Sequence, residues 1–165
     1  MIDRKSSSNM WCSIDPGLNT AIAIWKGKNL IDKIEFSLKD KGFTIERKLY
    51  LMKITLNAKI CKYLREITIV HIESVQLWSG SALSYTAGVR GDLFDLSYLI
   101  GMYFEYFQSK DKNVYLTPAS EWKGQVSYTA LNFRVRKIMN FDLLTNYSEH
   151  IINAVGLGLY IQDRF

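Results

Sequence analysis

The stretch Trp11-Cys12-Ser13-Ile14-Asp15-Pro16-Gly17-Leu18-Asn19-Thr20 decides how the chain is read. A strand-like apolar run ends in one carboxylate. A Pro-Gly turn follows, and a second apolar run, Ala21-Ile22-Ala23-Ile24-Trp25, returns. Proline presets φ for such a turn, and Gly17 is expected to supply a positive φ. The product is a hairpin with Asp15 at its opening. A carboxylate fixed on a strand end suits a hard cation, but Asp before Pro-Gly also serves simply to start a turn. Both readings stay open on this stretch alone.

Outward from it, Lys26-Gly27-Lys28 reads as a second hairpin turn and Leu30 to Phe36 as a third strand, so the domain opens with an antiparallel meander. Residues 1–9, with Asp3, Arg4, Lys5 and Ser6 to Ser8, read as a disordered tail without a signal-peptide core, and 10–165 as one domain. Leu49, Met52, Ile54, Leu56, Ile60 and Leu64 mark an amphipathic helix over about 45–64. Ile67-Thr68-Ile69-Val70-His71-Ile72-Glu73 is β-branched and almost wholly apolar, as a central strand buried on both faces would be, and it too ends in a carboxylate. His71 is expected to be a hydrogen-bonded core histidine. A long helix is expected from about Ala82 to Gln108. Asp95, Ser97 and Glu105 interrupt its apolar residues, which makes it a core helix and not a membrane span. A short strand over Asn113 to Leu116, a loop over Thr117 to Gly124 and a helix over about Leu131 to Met139 follow. The last helix is expected from Asn146 to Gln162, with Asn146 and Glu149 as a capping box. The order βββ-α-β-α-β-α-α implies an α/β fold, a mixed sheet with helices on its faces.

Of 165 residues, 48% are hydrophobic and 22% charged, an ordinary globular balance. The net charge of +5 favours an anionic partner, nucleic acid first. Cys12 and Cys61 lie in apolar runs and are expected to be buried free thiols. There is no CxxC pair, so a zinc site is not expected, and a cytoplasmic location is.

In such a sheet the ends of the first and fourth strands can be neighbours, which would set Asp15 beside Glu73. His150 and Asn153, three residues apart on the last helix, share one face. Two acids, an imidazole and an amide would then converge. Two Mg²⁺ ions about 4 Å apart on such a set can activate water and stabilise the leaving oxygen of a phosphodiester.

Together these motifs resemble the RuvC family of Holliday junction resolvases, on the RNase H-like fold of the retroviral integrase superfamily. Ile14-Asp15-Pro16-Gly17 looks like the family's opening motif and Ile72-Glu73-Ser74-Val75 like its second acidic motif. Pro118 through Trp122-Lys123-Gly124 looks like the phage-type lysine segment, and His150-Ile151-Ile152-Asn153-Ala154 like the closing helix. The resemblance implies a five-stranded mixed sheet (a three-stranded antiparallel meander plus two parallel strands). It implies a homodimer formed through the helix starting near Ala82, acting on four-way or other branched DNA by paired symmetric nicks. It implies a catalytic and metal-binding set of Asp15, Glu73, His150 and Asn153 with two Mg²⁺, for which Mn²⁺ substitutes. Lys123 would lie near the scissile phosphate, and Arg90, Arg134, Arg136 and Lys137 are the other phosphate-contacting candidates.

Two departures matter. Asn153 stands where the family carries Asp; a neutral amide is a poorer ligand, and this reads as an inactivating substitution or as a natural chain of reduced catalysis, the first being favoured. Gln76 stands where the family often carries an aromatic wedge, a role that Trp78 could take by stacking on a base. The alternatives are an RNase H-like RNA-processing nuclease and a non-catalytic junction-binding protein.

Overall fold

The computed structural model describes residues 9–38, 42–75, 92–142 and 144–165. Gln76, Trp78, Arg90 and the expected helix start near Ala82 lie outside them. The described elements are β1 (Met10–Asp15), β2 (Asn19–Lys26), β3 (Asn29–Ser37), α1 (Ile45–Leu64), β4 (Ile67–Ser74), α2 (Asp92–Gln108), β5 (Asn113–Pro118), a one-turn α3 (Ala119–Trp122), α4 (Tyr128–Met139) and α5 (Glu149–Ile161). The strands form one sheet in the order β3-β2-β1-β4-β5. The meander pairs are antiparallel, and β1–β4 and β4–β5 are parallel. This is the mixed five-stranded architecture that the sequence implies.

Strand alternation divides the side chains between two cores. Met10, Cys12 and Ile14 of β1, Ile22 and Ile24 of β2, and Val70 and Ile72 of β4 face α1 and α2. On α1, Met52, Leu56 and Ile60 recur at helical spacing and are all buried there. The opposite face carries Ala21, Ala23 and Trp25, covered by α4 and α5. The two alanines let α5 approach the sheet closely, and its residues from Ile151 to Leu159 are all buried. Glycine is needed where tryptophans lie against this helix: a Cβ on Gly156 would stand 2.8 Å from the Trp122 ring, and one on Gly158 would stand 2.4 Å from Trp25. A buried relay locks the same layer, as Trp25 Nε1–H donates to Ser13 Oγ (3.0 Å) and Ser13 Oγ–H donates to the Ala154 carbonyl (2.7 Å).

Several local expectations are corrected. Gly17 has no positive φ; Gly27 and Gly124 do. Gly17 suits its turn because a Cβ there would crowd the Asn19 carbonyl at 3.1 Å. Cys12 is buried but Cys61 is exposed, since it follows Ile60 off the buried stripe of α1. The cap of α5 is Ser148, whose Oγ accepts from Ile151 N–H at 3.1 Å, so Asn146 lies before the helix. β5 runs on to Pro118, and the expected loop contains α3. His71 is buried, but its Nδ1 has no hydrogen-bond partner among the described residues; the ring stacks on Tyr115 and meets Trp11 edge-on. No described helix is long and apolar enough to cross a membrane.

Candidate active site

The parallel pairing of β1 and β4 sets Ile14 opposite Ile72, so the next residue on each is an acid, Asp15 and Glu73. Alternation turns both away from the core that holds Ile14 and Ile72, toward the face that α5 covers. They meet at a cleft of about 200 Å³ whose apolar wall includes Val75, Leu96 and Ile100.

Helix α5 supplies two groups over Asp15. His150 Nδ1 lies 2.8 Å from Asp15 Oδ2, and Asn153 Nδ2 donates to the same oxygen at 3.4 Å. Asp15 and Asn153 are buried, while the His150 side chain is 35% exposed. A carboxylate acceptor fixes the imidazole with Nδ1–H toward Asp15 and leaves Nε2 unprotonated in the neutral ring. The hydrogen bond to Asp15 raises the His150 pKa above its ordinary value.

Glu73 is held from the other side by α3 and its cap. Trp122 Nε1–H donates to Oε2 at 3.1 Å, and Lys123 Nζ reaches both carboxylate oxygens, at 3.1 and 3.2 Å. Burial pushes the Glu73 carboxyl up and the Asp15 charge adds to that, whereas Lys123 and Trp122 pull it down. Trp122, 3% exposed, packs into the α5 layer and thereby fixes the end of α3, directly before Lys123. Its donation to Glu73 was not legible from spacing; the signal was an indole directly before the site lysine.

Asp15, His150 and Asn153 therefore form one group, and Glu73, Trp122 and Lys123 a second beside it. Among the described residues no three His, Cys, Asp or Glu side chains gather closely enough to hold a metal ion, and Asp15 and Glu73 are the two carboxylates that line the cleft. Two adjacent carboxylates on strand ends, facing one cleft, fit a single hard cation between them. Asn153 is neutral and already donates to Asp15.

The basic candidates separate. Arg134 and Lys137 are exposed on α4, and Arg134 lies over the Phe165 ring. Arg136 is occupied locally: its Nε donates to Asn132, and its two terminal nitrogens donate to the carbonyls of Asp142 and Thr145, all at 2.8 Å.

Neither a protein-family model nor a curated protein sequence matches the chain. Solved structures do. Thermus thermophilus RuvC in complex with Holliday junction substrate superposes with a TM-score of 0.68 at 12% identity, over 92% of this chain and 91% of that one. The fowlpox virus Holliday junction resolvase gives 0.57 at 18% identity, over 94% and 99%. The fowlpox enzyme with its Holliday junction DNA gives 0.54 at 15%, over 94% and 96%. In strand order, mixed pairing and helix placement, the chain has the RNase H-like fold of the RuvC-type Holliday junction resolvases.

Proposed function

We propose that the chain is a divalent-cation-dependent nuclease for branched DNA, with the four-way junction as its preferred substrate. The observation that carries this is the placement of Asp15 and Glu73 side by side at the ends of adjacent parallel strands, on a fold shared with proteins solved on Holliday junctions. Asp15 and Glu73 would hold the cation. Once bound, it would polarise a phosphate oxygen and lower the pKa of its water. His150, oriented by Asp15, presents Nε2 as a proton acceptor. Lys123, with a stem long enough to leave Glu73, supplies positive charge to the scissile phosphate. Arg134 and Lys137 add phosphate affinity without sequence readout, so binding weakens steeply with salt.

Paired nicking requires two active sites. The described part of α2 supports a homodimer through this helix, because Phe94 and Tyr98, one turn apart, are 65% and 57% exposed. A second reading, a junction-binding protein of little or no catalysis, is favoured by Asn153 alone. Labelled four-way junction, linear duplex and RNA–DNA hybrid, each incubated in Mg²⁺ with this chain and with Asn153→Asp, test the assignment. Selective nicking of the junction is expected, with Asn153→Asp the faster. Preference for the hybrid would instead make the chain an RNA-directed nuclease, and tight junction binding without nicks in either form would leave the binding protein.

A further inference from the structure

We propose that Lys123 is an internal competitor of the cation at Glu73, so that cation loading and release of the lysine ammonium are one exchange. This rests on reading Asp15 and Glu73 as cation ligands.

The ammonium engages both oxygens of Glu73, at 3.1 and 3.2 Å, and Trp122 Nε1–H takes a further position on Oε2. The Glu73 side chain is 14% exposed and that of Lys123 22%. A carboxylate in such surroundings needs a positive partner, and here the chain provides one itself. A cation arriving from the cleft must compete for lone pairs that Lys123 already uses.

The ion pair is not what anchors this segment. Trp122 does that by packing into the α5 layer against Gly156 and Leu131. The backbone of Lys123 is separately fixed as the cap of α3, its N–H donating to the Ala119 carbonyl at 3.0 Å. Moving the ammonium therefore leaves the backbone in place and needs rotation about the lysine stem, which takes Nζ off Glu73 and off the Trp122 ring, whose centroid it overlies at 5.0 Å. Asp15 differs: its partners are a titratable imidazole and a neutral amide, neither a permanent cation. The permanent positive charge is thus placed on only one of the two ligands. Its release by the cation would deliver an ammonium next to the loaded site, where a phosphate would arrive.

The test is a Mn²⁺ titration of metal-stripped protein, reading free Mn²⁺ by electron paramagnetic resonance. Lys123→Met keeps the stem and loses the charge. It is expected to bind Mn²⁺ about tenfold or more tightly than the parent, the scale of one removed charge-assisted competitor. Lys123→Gln, with a neutral polar head, is measured in parallel and should tighten likewise. Lys110→Met, which removes an exposed charge elsewhere, should leave the affinity unchanged. Adding Glu73→Gln to Lys123→Met should abolish the gain. Equal or weaker Mn²⁺ binding by both folded Lys123 variants, with Glu73→Gln still lowering the parent's affinity, would overturn the exchange and leave the cation site standing. Absence of Mn²⁺ binding in every form would overturn both.

Discussion

Replacing Asn153 with Asp tests the site energetically, apart from any activity. Asn153 is buried and donates to Asp15 Oδ2 at 3.4 Å. In Asn153→Asp a second carboxylate occupies that distance. Two unit charges so placed repel by about 5 kcal/mol at an effective dielectric of about 20. The protein can escape by keeping one proton: holding a carboxyl protonated at pH 7, about three units above its ordinary pKa, costs about 4 kcal/mol. The retained O–H donates to the partner carboxylate in place of the lost amide N–H, and His150, protonating against Asp15, offsets part of the cost. The net loss without cation is about 3 kcal/mol, or roughly 10 °C in melting temperature for a chain of this size. A divalent cation held by the proposed site would bind only the folded chain, so saturating Mg²⁺ should recover most of that loss and stabilise Asn153→Asp far more than the parent. Thermal melts by circular dichroism in EDTA and in Mg²⁺ read both effects. If Asn153→Asp melts like the parent in EDTA, the two side chains are not within reach of one another. If it is destabilised but indifferent to Mg²⁺, the acids do not form a cation site.

Three further outcomes follow from the packing. Gly158→Ala places a Cβ 2.4 Å from the fully buried Trp25 ring, which the Ser13 bond holds in place; urea unfolding should show a loss of about 2–3 kcal/mol. Burial lowers the His71 pKa to about 4, against about 6.5 unfolded, so the unfolded chain binds the extra proton between those values. Stability should fall as pH drops from about 6.5 and level off below about 4, by about 3 kcal/mol in all, and His71→Phe should remove that part of the acid dependence. A thiol reagent should modify Cys61 in the native protein and reach Cys12 only on unfolding, because Cys61 is exposed and Cys12 has no exposure.

The strands and the long helices were legible because their signals are local. The β-branched run before Glu73 and the apolar stripe of α1 each follow from a single period. Strand parity also carried real information about the site: Asp15 and Glu73 each follow an inward-facing isoleucine, which puts both on the other face. What was not legible depends on partners that leave no mark in sequence spacing. Ser148 and Asn146 are both competent caps, and the entry of the chain into α5 selects Ser148. The same four-residue spacing of Met52, Leu56 and Ile60 that buries Ile60 turns Cys61 outward, so periodicity could have corrected that expectation. Arg136 reads as a phosphate-contacting candidate, but its two terminal nitrogens donate to backbone carbonyls, which every residue type provides. Lys123 was placed near the site by resemblance. That its ammonium lies on Glu73, fifty residues away in sequence, depends on where α3 leaves β5.

The most direct measurement is strand-specific nick mapping on a labelled four-way junction, with Asn153→Asp and with Asn153→Asp carrying Asp15→Asn, in Mg²⁺ and in EDTA. Symmetric nicks on opposing strands are expected from Asn153→Asp in Mg²⁺ alone, with none when Asp15 is also replaced. Nicks that persist in EDTA or without the Asp15 carboxylate, or no nicks from any form in Mg²⁺, would contradict a cation-dependent nuclease centred on Asp15 and Glu73.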